Sequence, residues 1–278
     1  MLPQFYVDRL IETALSEDIT YIDTTTDLMI SPEARTTARF VAKADGILCG
    51  LDVALRVFRL LDETVSAVVH ISEGSMVHKG DLIAEFNGHT QALLKGERTA
   101  LNLLQHMSGV ATATHQASKL VAGTKAAITD TRKTLPGMRA LQKYAVVVGG
   151  GKNHRFNLSD AAMLKDNHID AAGGIPQAVA LIRKKLGHMV KLEVETRNLD
   201  EVKQALTAGA DVIMLDNMSC EEMCEAVQFV NGRVPLEASG GITAQTLRSV
   251  AETGVDIISI GALTHSVTAL DISMRIDK

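Results

Sequence analysis

The strongest constraint on this chain is a rhythm that begins after Gly123, where short apolar runs alternate with helical stretches. The runs are AAITDT, AAMLK, VKLEVET, DVIMLD, PLEAS and DIISIG. The stretches between them, such as Asn198 to Ala208, Ser219 to Val230 and Thr243 to Thr253, are too short for separate domains. They are long enough for right-handed crossovers between parallel strands. Almost every run ends in a polar residue or glycine: Asp130-Thr131, Lys165, Glu195-Thr196, Asp216-Asn217, Ser239 and Gly261. In a parallel barrel these carboxyl ends face one mouth, so residues remote in sequence converge there. Six runs are fewer than the usual eight strands. The pattern therefore predicts an α/β fold with a TIM-like barrel that is incomplete or hides a strand in a stretch read as helical. An open doubly wound sheet is the alternative, and Asp216 alone reads equally well as a cap for the next helix.

The stretch from Thr131 to His168 concentrates charge. From Thr131 to Lys165 it carries Arg132, Lys133, Arg139, Lys143, Lys152, Arg155 and Lys165 against a single carboxylate, Asp160, in a chain of net charge -5. Arg132-Lys133 and His154-Arg155 sit in polar punctuation, and Lys165 ends an apolar run. Such positions suit a lined cavity that receives an anion.

The first part of the chain reads differently. Phe5 to Asp18 has helical apolar spacing and breaks at the threonine-rich stretch Thr20 to Asp27. Arg35 to Lys43 and Val65 to Ile71 read as strands around the helical LDVALRVFRLLDE, and GSMVHKGDLIAEF supplies turns between short apolar pieces. A compact α+β unit ending near Gly88 follows from these pieces. A helix from about Thr90 to Met107 comes next, interrupted at Gly109, with Arg98 on its polar side.

Composition narrows the partners. Hydrophobic residues make up 46% of 278, enough for a sizeable core. With 3% aromatics, no tryptophan and net negative charge, single-strand stacking platforms and non-specific binding to nucleic acid or anionic membrane are disfavoured. A small molecule is favoured. Cys49, Cys220 and Cys224 form no paired framework, and no signal core opens the chain, so a reducing cytosol is expected. Cys220 and Cys224 have no second ligand pair at zinc-like spacing. Gly149-Gly150-Gly151 lacks the strand-turn-helix context of a dinucleotide fingerprint and reads as a turn.

Three groups of strand-end chemistry remain. Arg132, Lys133, Arg155 and Lys165, with His154, make a cationic wall for carboxylates or phosphates. Glu195 and Asp216 suit sugar hydroxyls, a magnesium ion or developing positive charge at an anomeric carbon. Ser239-Gly240-Gly241 and Gly261-Ala262 follow the last two strands, where barrels commonly hold phosphate with backbone N–H groups.

The motifs ERTALNLLQHMSG, TDTRKTLPGMRALQKYAV, GGGKNHRFNLSDAAMLKDNH, EVET, IMLDNM, EASGGI and ISIGALTHS together resemble the quinolinate phosphoribosyltransferase family, the decarboxylating enzymes of NAD biosynthesis. The resemblance implies an N-terminal α/β sandwich domain over 1–110 and an incomplete seven-stranded TIM-like barrel over 111–267, with a tail at 268–278 that returns to the first domain. It implies a pentosyltransferase that converts quinolinate and phosphoribosyl pyrophosphate (PRPP), with magnesium, into nicotinate mononucleotide, pyrophosphate and carbon dioxide. A cytoplasmic homodimer in which Arg98 reaches the partner's site is also implied, with dimer against hexamer left open.

By the same resemblance, Arg98, Arg132, His154, Arg155 and Lys165 match positions for the pyridine dicarboxylate. Thr131 lies beside Arg132, and Lys133 lies between that group and the PRPP phosphates. Glu195 and Asp216 match the ribose and magnesium-side carboxylates, no residue being assigned as a direct metal ligand. Ser239, Gly240, Gly241, Ile260, Gly261 and Ala262 match the phosphate loops. Lys133, Lys165, Glu195 and Asp216 are the expected catalytic set. Arg197, after Glu195-Thr196, departs from the commoner pattern. The rival readings are a molybdenum-transport-associated paralogue, a non-catalytic phosphosugar-binding regulator, and an aldolase using Lys165 as a Schiff-base amine.

Overall fold

Strand register and burial in a computed structural model, which describes residues 2–276, show where each run of the sequence goes. The chain forms two compact units. Among the described residues the first comprises 2–115, 135–150 and 264–276, and the second 116–134 and 151–263. Residues 135–150 thus group with the first unit although they follow the first barrel strand in sequence.

The first unit opens with α1 (Gln4–Asp18), which buries Val7, Ile11 and Leu15 on one stripe. The threonine-rich stretch expected as a break instead forms α2 (Thr24–Met29). Asp23 makes this possible by accepting from the N–H groups of Thr25 and Thr26, which would otherwise be orphaned at the helix start. Then come β1 (Arg35–Ala42), β2 (Gly46–Ile47), α3 (Leu51–Leu61), β3 (Ser66–Val69), β4 (Met76–Val77) and β5 (Leu82–His89). Half of the chain's six phenylalanines meet here. Phe40 and Phe86 pack edge-on at 4.7 Å between centroids, and Phe58 of α3 lies 5.1 Å from Phe86. This ring cluster is the apolar centre on which sheet and helix settle.

The helix expected to stop at Gly109 does not. α4 runs unbroken from Thr90 to Leu120. Glycine is required within it for space, because a methyl group on Gly109 would lie 2.3 Å from the carbonyl oxygen of Thr268. A helix-weakening residue is tolerated where another segment must come that close.

In the second unit, β6 (Ala127–Thr129) precedes α5 (Arg139–Val148), which belongs to the first unit. All six predicted barrel runs are strands. After β6 they are β7 (Ala162–Leu164), β8 (Leu192–Thr196), β9 (Val212–Asp216), β10 (Leu236–Ser239) and β11 (Ile257–Ser259). The sheet is parallel throughout in the order β6-β11-β10-β9-β8-β7. Thr129 also forms a parallel bridge with Lys152, so the segment at Lys152 is a seventh position beside β6. The helices α6 (Asp166–Ala172), α7 (Ile175–Arg183), α8 (Leu199–Ala208), α9 (Cys220–Val230) and α10 (Leu247–Glu252) connect the strands, and α11 (Ala262–His265) follows the last.

The final strand, β12 (Ile272–Ile276), pairs antiparallel with β1. Gln142 of α5 explains how separate pieces of the first unit are stitched together. Its fully buried amide accepts from Leu135 N–H at 2.9 Å and donates to Thr264 O at 2.7 Å and to His106 Nε2 at 2.9 Å. Gly149 caps α5, in keeping with the turn expected of the triple glycine. Among the described residues no helix is long and apolar enough to cross a membrane.

Candidate active site

Alternation along the strands sorts the second unit's polar residues into two tiers. Glu193 and Glu195 project from the same face of β8, and Glu237 and Ser239 from the same face of β10, because side chains two apart share a face. Asp216 pairs in register with Ser239. The upper tier, at the carboxyl ends, therefore holds Lys165, Glu195, Asp216 and Ser239, as the sequence predicts.

In that tier the Lys165 ammonium pairs with the Glu195 carboxylate. Lys165 is also the residue from which α6 starts, and its N–H donates to His168 Nδ1 at 3.1 Å. At the next strand end Asn217 donates from its amide to Asp216 Oδ2 at 2.9 Å. The N–H of Asn217 donates to Ser239 O at 2.9 Å, tying the ends of β9 and β10 together. Gly240 must be glycine there. Its φ is +95°, and a methyl group would sit 2.3 Å from Asn217 Oδ1. Gly241 follows at φ +58°. Ile260 N–H donates to Thr129 O at 3.0 Å, and α11 begins directly after Gly261.

The cationic side is built from a tight loop and a gap in the sheet. Thr131 Oγ1 accepts from Lys133 N–H at 2.9 Å, and Thr134 N–H donates to Arg132 O at 2.9 Å. This turn leaves Arg132 and Lys133 exposed. Arg155 Nη1 donates to Ala161 O at 2.7 Å, reaching from the Lys152 segment to the residue before β7 where no strand ladder joins them. Burial first, and the charge of Arg132 second, press the Arg155 pKa below the ordinary guanidinium value.

The lower tier was not anticipated. Glu193 and Glu237 are almost wholly buried, and each lies within ion-pair distance of His154: Nε2 is 3.0 Å from Glu193 Oε2 and 3.6 Å from Glu237 Oε2. Fully buried Asp130 accepts from the backbone N–H of His154 at 2.9 Å. Burial, followed by the charge of Glu193, pushes the Glu237 carboxyl up to about 7. The signal was available in KLEVET and PLEAS. A carboxylate in the middle of an apolar run, two before a strand-end residue, must share that residue's face.

Arg98 is exposed on α4 in the first unit, and Arg139 and Lys143 lie on α5 of that unit. The second unit therefore gathers Arg132, Lys133, His154, Arg155, Lys165, Glu195, Asp216 and the glycine loops, while the remaining cations of the charged stretch, apart from exposed Lys152, lie elsewhere.

The sequence matches the model of the quinolinate phosphoribosyl transferase C-terminal domain over residues 110–275 and that of the N-terminal domain over 23–108. It is 45% identical over 268 residues to the probable nicotinate-nucleotide pyrophosphorylase [carboxylating] of Bacillus subtilis (strain 168), covering 96% of this chain and 92% of that one. It is 40% identical over 294 aligned positions to a quinolinate phosphoribosyltransferase [decarboxylating] of Nicotiana tabacum, covering 99% and 83%. The fold superposes on a crystal structure of NadC from Streptococcus pyogenes with a TM-score of 0.97 at 40% identity, covering 100% and 98% of the two chains. On the nicotinate-nucleotide pyrophosphorylase of Francisella tularensis the TM-score is 0.95 at 42% identity, covering 100% and 98%. With both halves of the sequence matched and the upper-tier residues converging at one end of one parallel sheet, the chain belongs to the quinolinate phosphoribosyltransferase family.

Proposed function

We propose that this enzyme transfers the phosphoribosyl group of PRPP to the ring nitrogen of quinolinate, with decarboxylation, giving nicotinate mononucleotide, pyrophosphate and carbon dioxide. The observation that carries this reading is the placement of Arg132, Lys133, Lys165, Glu195 and Asp216 at or just beyond the carboxyl ends of one parallel sheet, with Arg155 held on Ala161 O before β7. A cationic wall alone would suit any polyanion. Carboxylates within the same tier suit a sugar whose anomeric carbon becomes electron-deficient.

In this mechanism the arginines and Lys165 receive the two ring carboxylates, and the N–H groups of the Ser239-Gly240-Gly241 and Gly261-Ala262 loops receive phosphate. Glu195 and Asp216 orient the ribose and favour positive charge at its anomeric carbon. The ring nitrogen then forms a bond to that carbon as the bond to pyrophosphate breaks. Loss of the adjacent carboxylate as carbon dioxide leaves an electron pair on the ring carbon, stabilised by the cationic ring nitrogen and the surrounding basic groups until a proton quenches it.

Magnesium would come with PRPP as part of the substrate and would supply charge neutralisation at the diphosphate. Glu195 and Asp216 are partly accessible carboxylates of the kind that would hold a hard ion through its water shell. Arg98 joins the site from a second copy of the chain.

The deciding experiment is purified protein with quinolinate, PRPP and magnesium, assayed for nicotinate mononucleotide, with nicotinate as the control substrate. Turnover of quinolinate and not of nicotinate is expected. Preference for nicotinate overturns the dicarboxylate reading, and binding of PRPP without pyrophosphate release would indicate a regulator.

A further inference from the structure

The chemistry above gives Glu193 and Glu237 no part, yet both carboxylates are almost wholly buried and converge on His154. His154, Glu193 and Glu237 place one possible ligand atom each within 4.8 Å of one another. Glu193 Oε1 and Glu237 Oε1 are buried with no hydrogen-bond partner. Both glutamates line a solvent-open cavity of about 220 Å³ that His154 and Arg155 also border. Such a cluster is either a metal centre or a device that holds His154, and the imidazole decides between them.

His154 Nδ1 accepts the backbone N–H of Arg155 at 2.8 Å. That nitrogen must offer a lone pair, so in the neutral ring the proton resides on Nε2. An Nε2–H has no lone pair for a metal, but it is the donor that the Glu193 carboxylate at 3.0 Å requires. The ring thus links Glu193 inside the barrel to the main chain of Arg155. From there the Arg155 guanidinium extends to Ala161 O and, at 3.7 Å, to Met163 Sδ.

We propose that Glu193, seconded by Glu237, is a positioning residue: by accepting the single N–H of His154 it fixes the ring that fixes Arg155 in the dicarboxylate site. Glu237 lies farther from Nε2, at 3.6 Å, and walls in the same N–H from β10. Asp130 holds the other side of His154 through the backbone. The inference rests on the reading of Arg155 as a quinolinate ligand, and it assigns to the lower tier a role in geometry instead of group transfer.

The test is steady-state kinetics of the full chain carrying Glu193→Ala, Glu193→Gln, Glu237→Ala or Glu237→Gln, alongside 15N NMR of histidine-labelled protein. Loss of the acceptor in Glu193→Ala raises KM for quinolinate about tenfold or more, the worth of one hydrogen bond to a charged group, while KM for PRPP stays within about twofold. Glu193→Gln keeps an acceptor oxygen and rescues most of the defect, and Glu237 variants show a smaller change in the same direction. The His154 resonances, identified by their absence in His154→Gln, report an unprotonated Nδ1 and a protonated Nε2.

Equal rises in both KM values, no difference between the Ala and Gln variants at 193, or an Nδ1–H tautomer overturns the proposal. So does one tightly bound transition metal per chain that is lost in Glu193→Ala. If Glu193→Ala does not fold, the NMR signature of the parent protein still decides. Failure of the unmodified protein to use quinolinate would instead sink the functional reading beneath it.

Discussion

Lys165 of the loop after β7 is ion-paired with Glu195 of β8, so this cation is already matched before any substrate arrives. The lysine side chain is 47% exposed and the glutamate 12%. Under the proposed function, Lys165 meets a substrate carboxylate only by exchanging one carboxylate for another. Removing the internal competitor should release it. Glu195→Gln is expected to bind quinolinate, in the absence of PRPP, about two- to fivefold more tightly, the scale of a partly exposed ion pair. Turnover should collapse in the same variant because the ribose loses its carboxylate. Calorimetric titration with quinolinate reads the first effect and product formation the second. Weaker binding would show that Glu195 helps to hold the dicarboxylate. Lys165→Ala should cripple both binding and turnover.

Arg98 provides a separate test of the two-copy site. If each site takes Arg98 from one chain and Lys165 from the other, Arg98→Ala and Lys165→Ala are inactive alone and complement one another when mixed. Random exchange makes half the dimers mixed, and each mixed dimer has one intact site of two. Recovery of about a quarter of the unmodified activity is expected after the variants are unfolded and refolded together. A mixture as inactive as its parts would place both residues in one chain's site, or Arg98 outside it.

The contact between Gly240 and Asn217 predicts a stability defect that coincides with a substrate defect. Gly240→Ala puts a methyl group against Asn217 Oδ1 and forces an L residue to φ +95°. A cost on the order of 2 kcal/mol is expected from the backbone conformation alone. Thermal melts should show lower stability, and KM for PRPP should rise while KM for quinolinate changes less. Adding Asn217→Gly removes the side-chain clash and suits the φ of +54° at that position, so the double variant should recover part of both losses. Strict additivity of the two substitutions would count against the contact.

What the sequence made legible follows from which constraints are local. All six barrel strands could be read because each is a short apolar run bounded by polar residues, and strand-end placement of Lys165, Glu195 and Asp216 came with them. Glu193 and Glu237 escaped because attention to strand ends passes over polar residues within a run, although the two-residue alternation carries the information. The extent of α4 escaped for a different reason. Gly109 weakens a helix considered by itself, and its justification is the carbonyl of Thr268, which no local pattern reveals. The grouping of α5 with the first unit depends likewise on Gln142 meeting Leu135, Thr264 and His106. α2 was masked by threonines that are poor helix formers until Asp23 supplies their missing acceptor.

The buried Glu237 carboxyl gives the protein a predictable pH dependence. Burial is the larger cause of its elevation to about 7, and the nearby charges of Glu193 and Asp130 add to it, while His154 and the Ser259 hydroxyl oppose it. In the unfolded chain this carboxyl returns to the ordinary value near 4.5. The folded state thus binds the proton more tightly, and between those pH values the unfolded state holds fewer protons than the folded one. Stability from this group is fully present below about pH 4.5, is lost as pH rises to about 7, and is level above that. A loss on the order of 3 kcal/mol accompanies the rise, at about 1.4 kcal/mol for each tenfold change in proton affinity. Other groups titrate in the same range, so the informative quantity is the difference from Glu237→Gln, which cannot ionise. Urea denaturation of both proteins at pH 5, 6, 7 and 8 should show the unmodified protein losing ground to the variant up to pH 7 and then running parallel to it. Parallel curves across the whole range would mean that Glu237 keeps its proton, or loses it, alike in both states.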